Sequence, residues 1–142
     1  MMLRPFVTAF LVVLFSVAIV LSQSSSEPKK DAGRVSLQAK VVKLDTAGKD
    51  YLQVLGGPPE TVTMKSGLVQ LAHGRSVGKH STGQHEEILV VLSGIGEMTF
   101  ADGSRLPVEG GHALYCPPET EHNVTNTGSD ELRYVYVVAS TK

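Results

Sequence analysis

Beyond Lys30, no stretch of this chain keeps its apolar residues in step with a 3.6-residue turn, so helices cannot supply the core. The apolar residues fall instead in short runs rich in Val, Leu, Ile, Thr and Tyr, at 35–41, 61–64, 68–72, 87–92, 97–100, 113–116 and 132–138. Turn signals separate them at Gly56-Gly57-Pro58-Pro59, Asp102-Gly103, Gly110-Gly111 and Asn126-Thr127-Gly128. Residues 100–104 read as a hairpin turn. Many short strands in a chain this small predict an all-β barrel or sandwich without a long helix.

The first residues have a different character. Arg4 precedes an almost unbroken apolar run over 6–21, and the chain then turns polar from Ser22 to Lys30. A basic start, an apolar stretch and a polar exit make residues 1–22 a secretory signal peptide or an N-terminal membrane anchor. Residues 23–34 then form a flexible linker and 35–142 the β-barrel domain, exported to a periplasmic or extracellular space. The whole chain is 142 residues, enough for one ordinary domain. Its net charge is -1, its Lys and Arg are scattered and it has no Trp, which excludes a nucleic-acid surface. Cys116 is the only cysteine, so an internal disulfide is impossible and a buried apolar role is expected for it.

Residues 88–92 are apolar on both faces of a strand, with Leu89 and Val91 on one side and Ile88, Val90 and Leu92 on the other. Such a strand is covered on its outside as well. The cover is another layer of the chain or a second subunit, and a homodimer is the expectation.

All five histidines fall between His73 and His122. In an extended strand His85 and Glu87 share the inward face with Leu89 and Val91. Inward-facing ligand groups are costly unless something satisfies them, and a divalent ion does so. His80 lies just before, and Pro117-Pro118 ends a strand so that His122 re-enters from a neighbouring one. His73 and His112 read as surface or hydrogen-bonded histidines, Glu86 as a solvated or interface carboxylate, and Met64 and Met98 as core. Tyr115, Tyr134 and Tyr136 read as core or barrel-wall residues, one of them a candidate to line a pocket.

These two segments resemble the paired motifs of the cupin superfamily. Gly74, His80, Glu87 and Gly94 fall on the first motif; Gly111, Pro117, His122 and Asn126 fall on the second, with Glu119 in place of its glycine. The resemblance covers residues 61–138 and implies a double-stranded β-helix, a jelly-roll-like barrel with a metal inside, as in small cupin-2-like members. Thr82 stands where the family's second histidine ligand belongs, and the reading of the residues gives that place to His85. The metal set is then His80, His85, Glu87 and His122, holding one Mn, Fe, Ni or Zn ion with one or two positions open. Two other readings stay open: three ligands with water beside Thr82, or a metal-free site that hydrogen-bonds an organic ligand.

The function expected is an exported metal-dependent enzyme acting on a small oxygen-rich molecule in the barrel, with a histidine or Glu86 moving a proton. The alternative is a non-catalytic small-molecule or metal-binding module, since one fold hosts both.

Overall fold

The computed structural model describes residues 37–142. The signal or anchor at 1–22, the linker at 23–34 and the first two residues of the 35–142 domain lie outside the described residues. Nine strands follow in order: β1 (Tyr51–Gly56), β2 (Lys65–Leu71), β3 (His80–Ser81), β4 (His85–Ser93), β5 (Ile95–Phe100), β6 (Arg105–Glu109), β7 (Ala113–Cys116), β8 (Glu121–Asn126) and β9 (Leu132–Ser140). They form a five-stranded sheet in the order β1-β2-β9-β4-β7 and a four-stranded sheet in the order β3-β8-β5-β6. Every pairing is antiparallel, and among the described residues there is no helix.

The C-terminal strand is the hub. β9 pairs with β2 from Lys65↔Val138 to Leu71↔Leu132 and with β4 from His85↔Ser140 to Ser93↔Arg133. Its inward Leu132 and Tyr134 meet Leu89 and Val91 of β4, Leu114 and Cys116 of β7, and Met98, Val108 and Val124 of the other sheet. Burial of each large apolar side chain contributes roughly 1.5–3 kcal/mol.

Two polar devices close the loops around this core. Between β5 and β6, the Asp102 carboxylate accepts hydrogen bonds from the Ser104 amide (2.9 Å) and hydroxyl (2.6 Å), making the hairpin expected there. At the end of β8, Asn126 is buried and donates through Nδ2 to the carbonyls of Leu71 and Asp130 (2.8 Å each), while its Oδ1 accepts from the Gly128 amide. The asparagine of the second motif is therefore a clip between the two sheets.

Four expectations need correction. Residues 37–41, the described part of the run at 35–41, form no strand. Residues 61–64 form no strand either: the Glu60 and Thr61 amides turn back onto the Gly57 carbonyl, and Thr61 Oγ1 donates to Met64 O. Met64 is consequently exposed rather than core, whereas Met98 is fully buried. Tyr115 lies on the outer face and is exposed. β1, β3, β6 and β8 escape the apolar-run reading. β6 contains Pro107, which an edge strand tolerates, and the inward face of β8 mixes His122 and Asn126 with Val124.

The outer face of the five-stranded sheet is covered unevenly. Over β2 and β9, Thr46 Oγ1 donates to Gln70 Oε1 (3.1 Å) and Arg133 Nη2 donates to Leu44 O (3.4 Å); Leu68 on that side is fully buried. Over β4, Ile88, Val90 and Leu92 remain 40%, 42% and 42% exposed.

Candidate metal centre

The two sheets bring the site together from opposite walls. In the smaller sheet His80 is the register partner of His122, so both side chains leave the same face. Their rings lie 4.3 Å apart at a tilt of 58°. From the larger sheet Glu87 reaches across the interior, its Oε2 3.2 Å from His122 Nε2. Ligand atoms of His80, Glu87 and His122 all lie within 4.8 Å of one another.

Backbone carbonyls orient the imidazoles. His80 Nδ1 lies 2.9 Å from Gly78 O, and His122 Nδ1 lies 3.2 Å from Thr120 O. With each Nδ1–H donated to a carbonyl, Nε2 is the nitrogen left for an ion, the arrangement typical of metal-ligating histidine. His122 and Glu87 are buried, only 2% and 8% exposed. Burial pushes the His122 pKa down, but the Glu87 contact, the Thr120 carbonyl and the Glu87 charge together hold it above the ordinary value. An ion bound to His122 Nε2 and Glu87 therefore competes with protons for the same atoms. Two imidazoles and one carboxylate fit a divalent first-row ion and leave coordination positions open.

His85 shares the inward face of Glu87 and lines the same cavity, but it is not in the three-donor group. Two residues along a strand span about 6.6 Å, which sets its side chain one step along the wall from the group. Thr82 is buried and its hydroxyl is committed: Oγ1 donates to Pro117 O (2.8 Å) and accepts from the Thr120 amide (2.9 Å). Where the first motif has a ligand, this chain has a latch. It pins the segment between β7 and β8 to the turn before β4, and the Glu119 amide adds a bond to Gly83 O (2.8 Å). Glu119, at the motif's glycine position, takes the left-handed φ of 57° that glycine adopts freely.

The three donors open onto a cavity of about 440 Å³, within the usual range for small-ligand sites. Val69, Val77, Leu89 and Val138 form its apolar wall, and Lys65, His85, Tyr134 and Tyr136 its polar part. Burial, reinforced by the Glu87 charge for Tyr134 and by the Tyr51 hydrogen bond for Tyr136, holds both phenols well above their ordinary pKa. The two hydroxyls stay protonated as donors. Tyr136 is set by its neighbour: its ring stacks on Tyr51 at 6.4 Å and the hydroxyls are 3.0 Å apart. Both rings lie over Gly67, where a Cβ would come within 2.6 Å of Tyr51 and 2.8 Å of Tyr136.

Lys65, Tyr51 and Gly67 were missed by sequence reasoning, which named Tyr134 and Tyr136 among the candidates to line a pocket. Strand parity holds the signal, because Val69 and Leu71 point inward and residues 65 and 67 share their face. Glu86 points outward and accepts a hydrogen bond from the Tyr115 hydroxyl (3.2 Å), so it does not serve the cavity as a proton carrier. His73 and His112 are exposed and bonded to the carbonyls of Gly128 and Glu109. Cys116 is fully buried against Met98 Sδ (3.4 Å), and burial, with the Glu87 charge, pushes its thiol up to about 11.

Residues 67–138 match the family model described as Cupin domain. Among solved structures, the chain is similar to a Cupin 2 conserved barrel domain protein from Salinispora arenicola, with 23% identity, TM-score 0.62 and coverage of 73% of this chain and 91% of that one. It is also similar to an RmlC-like cupin family protein with a double-stranded β-helix fold from Methanocaldococcus jannaschii (20% identity, TM-score 0.60, coverage 74% and 94%). The Schizosaccharomyces pombe Cnp3 cupin domain is similar at 16% identity and TM-score 0.57, and this chain spans 63% of its length. No curated protein matches the chain. The family match across more than half of the chain agrees with the two-sheet barrel and its inward His–Glu–His group: the chain belongs to the cupin family, as a small cupin-2-like member with the double-stranded β-helix fold.

Proposed function

We propose that this cupin is an exported metal-dependent enzyme acting on a small oxygen-rich molecule at the His80–Glu87–His122 centre. The convergence of three ligand atoms within 4.8 Å, opening onto a ligand-sized cavity, carries the reading. When bound, a divalent Mn, Fe, Ni or Zn ion supplies Lewis-acid polarisation of an oxygen ligand. The chain's own contributions are separate. Glu87 and the two imidazoles hold the site, the Tyr134 and Tyr136 hydroxyls donate to substrate oxygens, the valine and leucine wall excludes water, and His85 on the wall is the candidate proton carrier. Elemental analysis of the full chain purified without chelators tests the centre. Near-stoichiometric transition metal, lost in Glu87→Gln and in His122→Ala, supports it. No metal after supplying Mn, Fe, Ni and Zn overturns it.

Assembly and export belong to the same proposal. The strip of Ile88, Val90 and Leu92 has Glu86 at one end, and Arg133 is paired to Ser93 at the other. A two-fold axis parallel to the sheet and perpendicular to β4 would lay the two strips face to face with the Glu86 end of one copy against the Arg133 end of the other, closing a homodimer over the apolar strip. Sedimentation velocity of the full chain tests the dimer. Cell fractionation of the full chain beside a form lacking residues 1–22 tests export by the N-terminal signal or anchor.

A further inference from the structure

After β2 the chain crosses to the smaller sheet, and residues 74–77 run along β8. Gly74 N donates to Asn126 O (3.1 Å), Asn126 N to Arg75 O (2.9 Å) and Val77 N to Val124 O (3.1 Å). Across from this segment stands β1, the edge strand of the larger sheet. No backbone hydrogen bond joins the two among the described residues. Between these margins lies a second cavity, a cleft of about 210 Å³, with Tyr51, Val69 and Leu71 on one side and Arg75 and Val77 on the other.

Resting on the main cavity as a ligand site but not on its ion, we propose that this cleft is a distal subsite. It takes the anionic end of an elongated ligand, a carboxylate or phosphate group, while the oxygen-rich head lies in the main cavity.

Continuity is the first support. Val69 and Val77 line both spaces. Tyr51 joins them as well: it lines the cleft, and its hydroxyl lies 3.0 Å from that of Tyr136, which lines the main cavity. A ligand that reaches from one space into the other passes two valines, so its middle is apolar.

Charge is the second. Arg75 lies beside Asn126, an inward residue of β8, and so shares the inward face of its margin with Val77. Arg105 is committed to Glu97 and Arg133 to Leu44 O, whereas Arg75 makes no ion pair among the described residues. Asp50 lines the same cleft without pairing to it. The guanidinium keeps its charge at any ordinary pH and offers a fork of N–H donors suited to a carboxylate or a phosphate. Beside it, Val69 and Leu71 are buried and give the adjoining chain an apolar surface.

The test uses the full chain with isotopically labelled Val and Leu methyl groups, and hexanoate and hexyl phosphate as probes, each with and without EDTA. Both probes should shift the methyl signals of Val69, Leu71 and Val77, with affinities that the chelator leaves unchanged, and the tighter probe names the anion. Arg75→Met should weaken this binding about tenfold or more, the size of one charge-assisted hydrogen bond, and Arg75→Lys should recover part of it. Hexanol, which lacks the charge, should bind wild type and Arg75→Met alike. Inorganic phosphate, which lacks the chain, should bind more weakly than hexyl phosphate. Binding that disappears with EDTA, or in Lys65→Met but not in Arg75→Met, places the anion in the main cavity and overturns the subsite. Methyl signals that stay still at millimolar probe overturn it too. A chain that holds no metal leaves this test intact, because the arm with EDTA contains no free ion.

Discussion

The two faces of β4 differ in what surrounds them more than in what they are made of. Inward, His85, Glu87, Leu89 and Val91 run from the cavity wall through the metal group into the core; outward, Glu86, Ile88, Val90 and Leu92 run along an apolar strip. Each face carries one carboxylate and several aliphatic groups. Leu89 is 1% exposed and Val90 42%. Adjacent glutamates show the lesson best: Glu87 sits against a buried imidazole and Glu86 against an exposed tyrosine hydroxyl. The pleat alone decides which of them joins the inward His–Glu–His group.

The sharpest way to break this comparison is to neutralise the two carboxylates in turn. Glu87→Gln should weaken metal binding at least roughly 100-fold, the upper end of what outer partners of a metal site cost. Glu86→Gln should leave the metal content unchanged, and elemental analysis reads both. A metal-free Glu86→Gln protein would mean that the faces are not independent.

Truncating the aliphatic groups comes next. Leu89→Ala should cost about 2–5 kcal/mol in chemical denaturation, because it empties a filled core position. Val90→Lys should change the unfolding free energy of the monomer by no more than about 0.5 kcal/mol. Its effect should appear in sedimentation, as loss of the dimer.

A smaller effect belongs to Glu119, in the segment that Thr82 latches beside the site. Its φ of 57° is unfavourable for a residue with a Cβ, so Glu119→Gly should raise stability by about 1 kcal/mol, read as a higher Tm.

The last prediction concerns alkali. An unfolded Cys116 thiol ionises near 9.0, while in the fold it stays neutral until about 11. Below the first value its contribution to stability is complete, and it is lost as pH rises toward the second. Tyr134 and Tyr136 are shifted in the same direction, so the urea midpoint should fall above pH 9 and the thiol should resist disulfide reagents at pH 8 until the protein unfolds.

Much of the barrel was legible because its strands carry compact apolar runs. β7 at Ala113–Cys116 and the hairpin at Asp102-Gly103 stood where residue pattern and turn chemistry put them. The runs at 37–41 and 61–64 carry the same local pattern, but neither pairs as a strand, since a run becomes a strand only where a partner supplies the ladder. β3 has two residues and exists because His80 and Ser81 pair with β8.

The site divides in the same way. His80, Glu87 and His122 could be read from spacing and residue type. The fate of Thr82 could not, because its hydroxyl bonds to residues 35 and 38 positions away. Lys65 likewise enters the site only because β9 lies between β2 and β4 in the larger sheet.

Residue order by itself determined the all-β class, the inward and outward faces of β4, and the three strongest ligand types. These depend on periodicity and side-chain chemistry, which are local. Tertiary structure decided the number of donors that meet, the cation placed beside them and the strip left uncovered. Each depends on which strands become neighbours, and that follows from burial summed over the whole barrel rather than from any one segment.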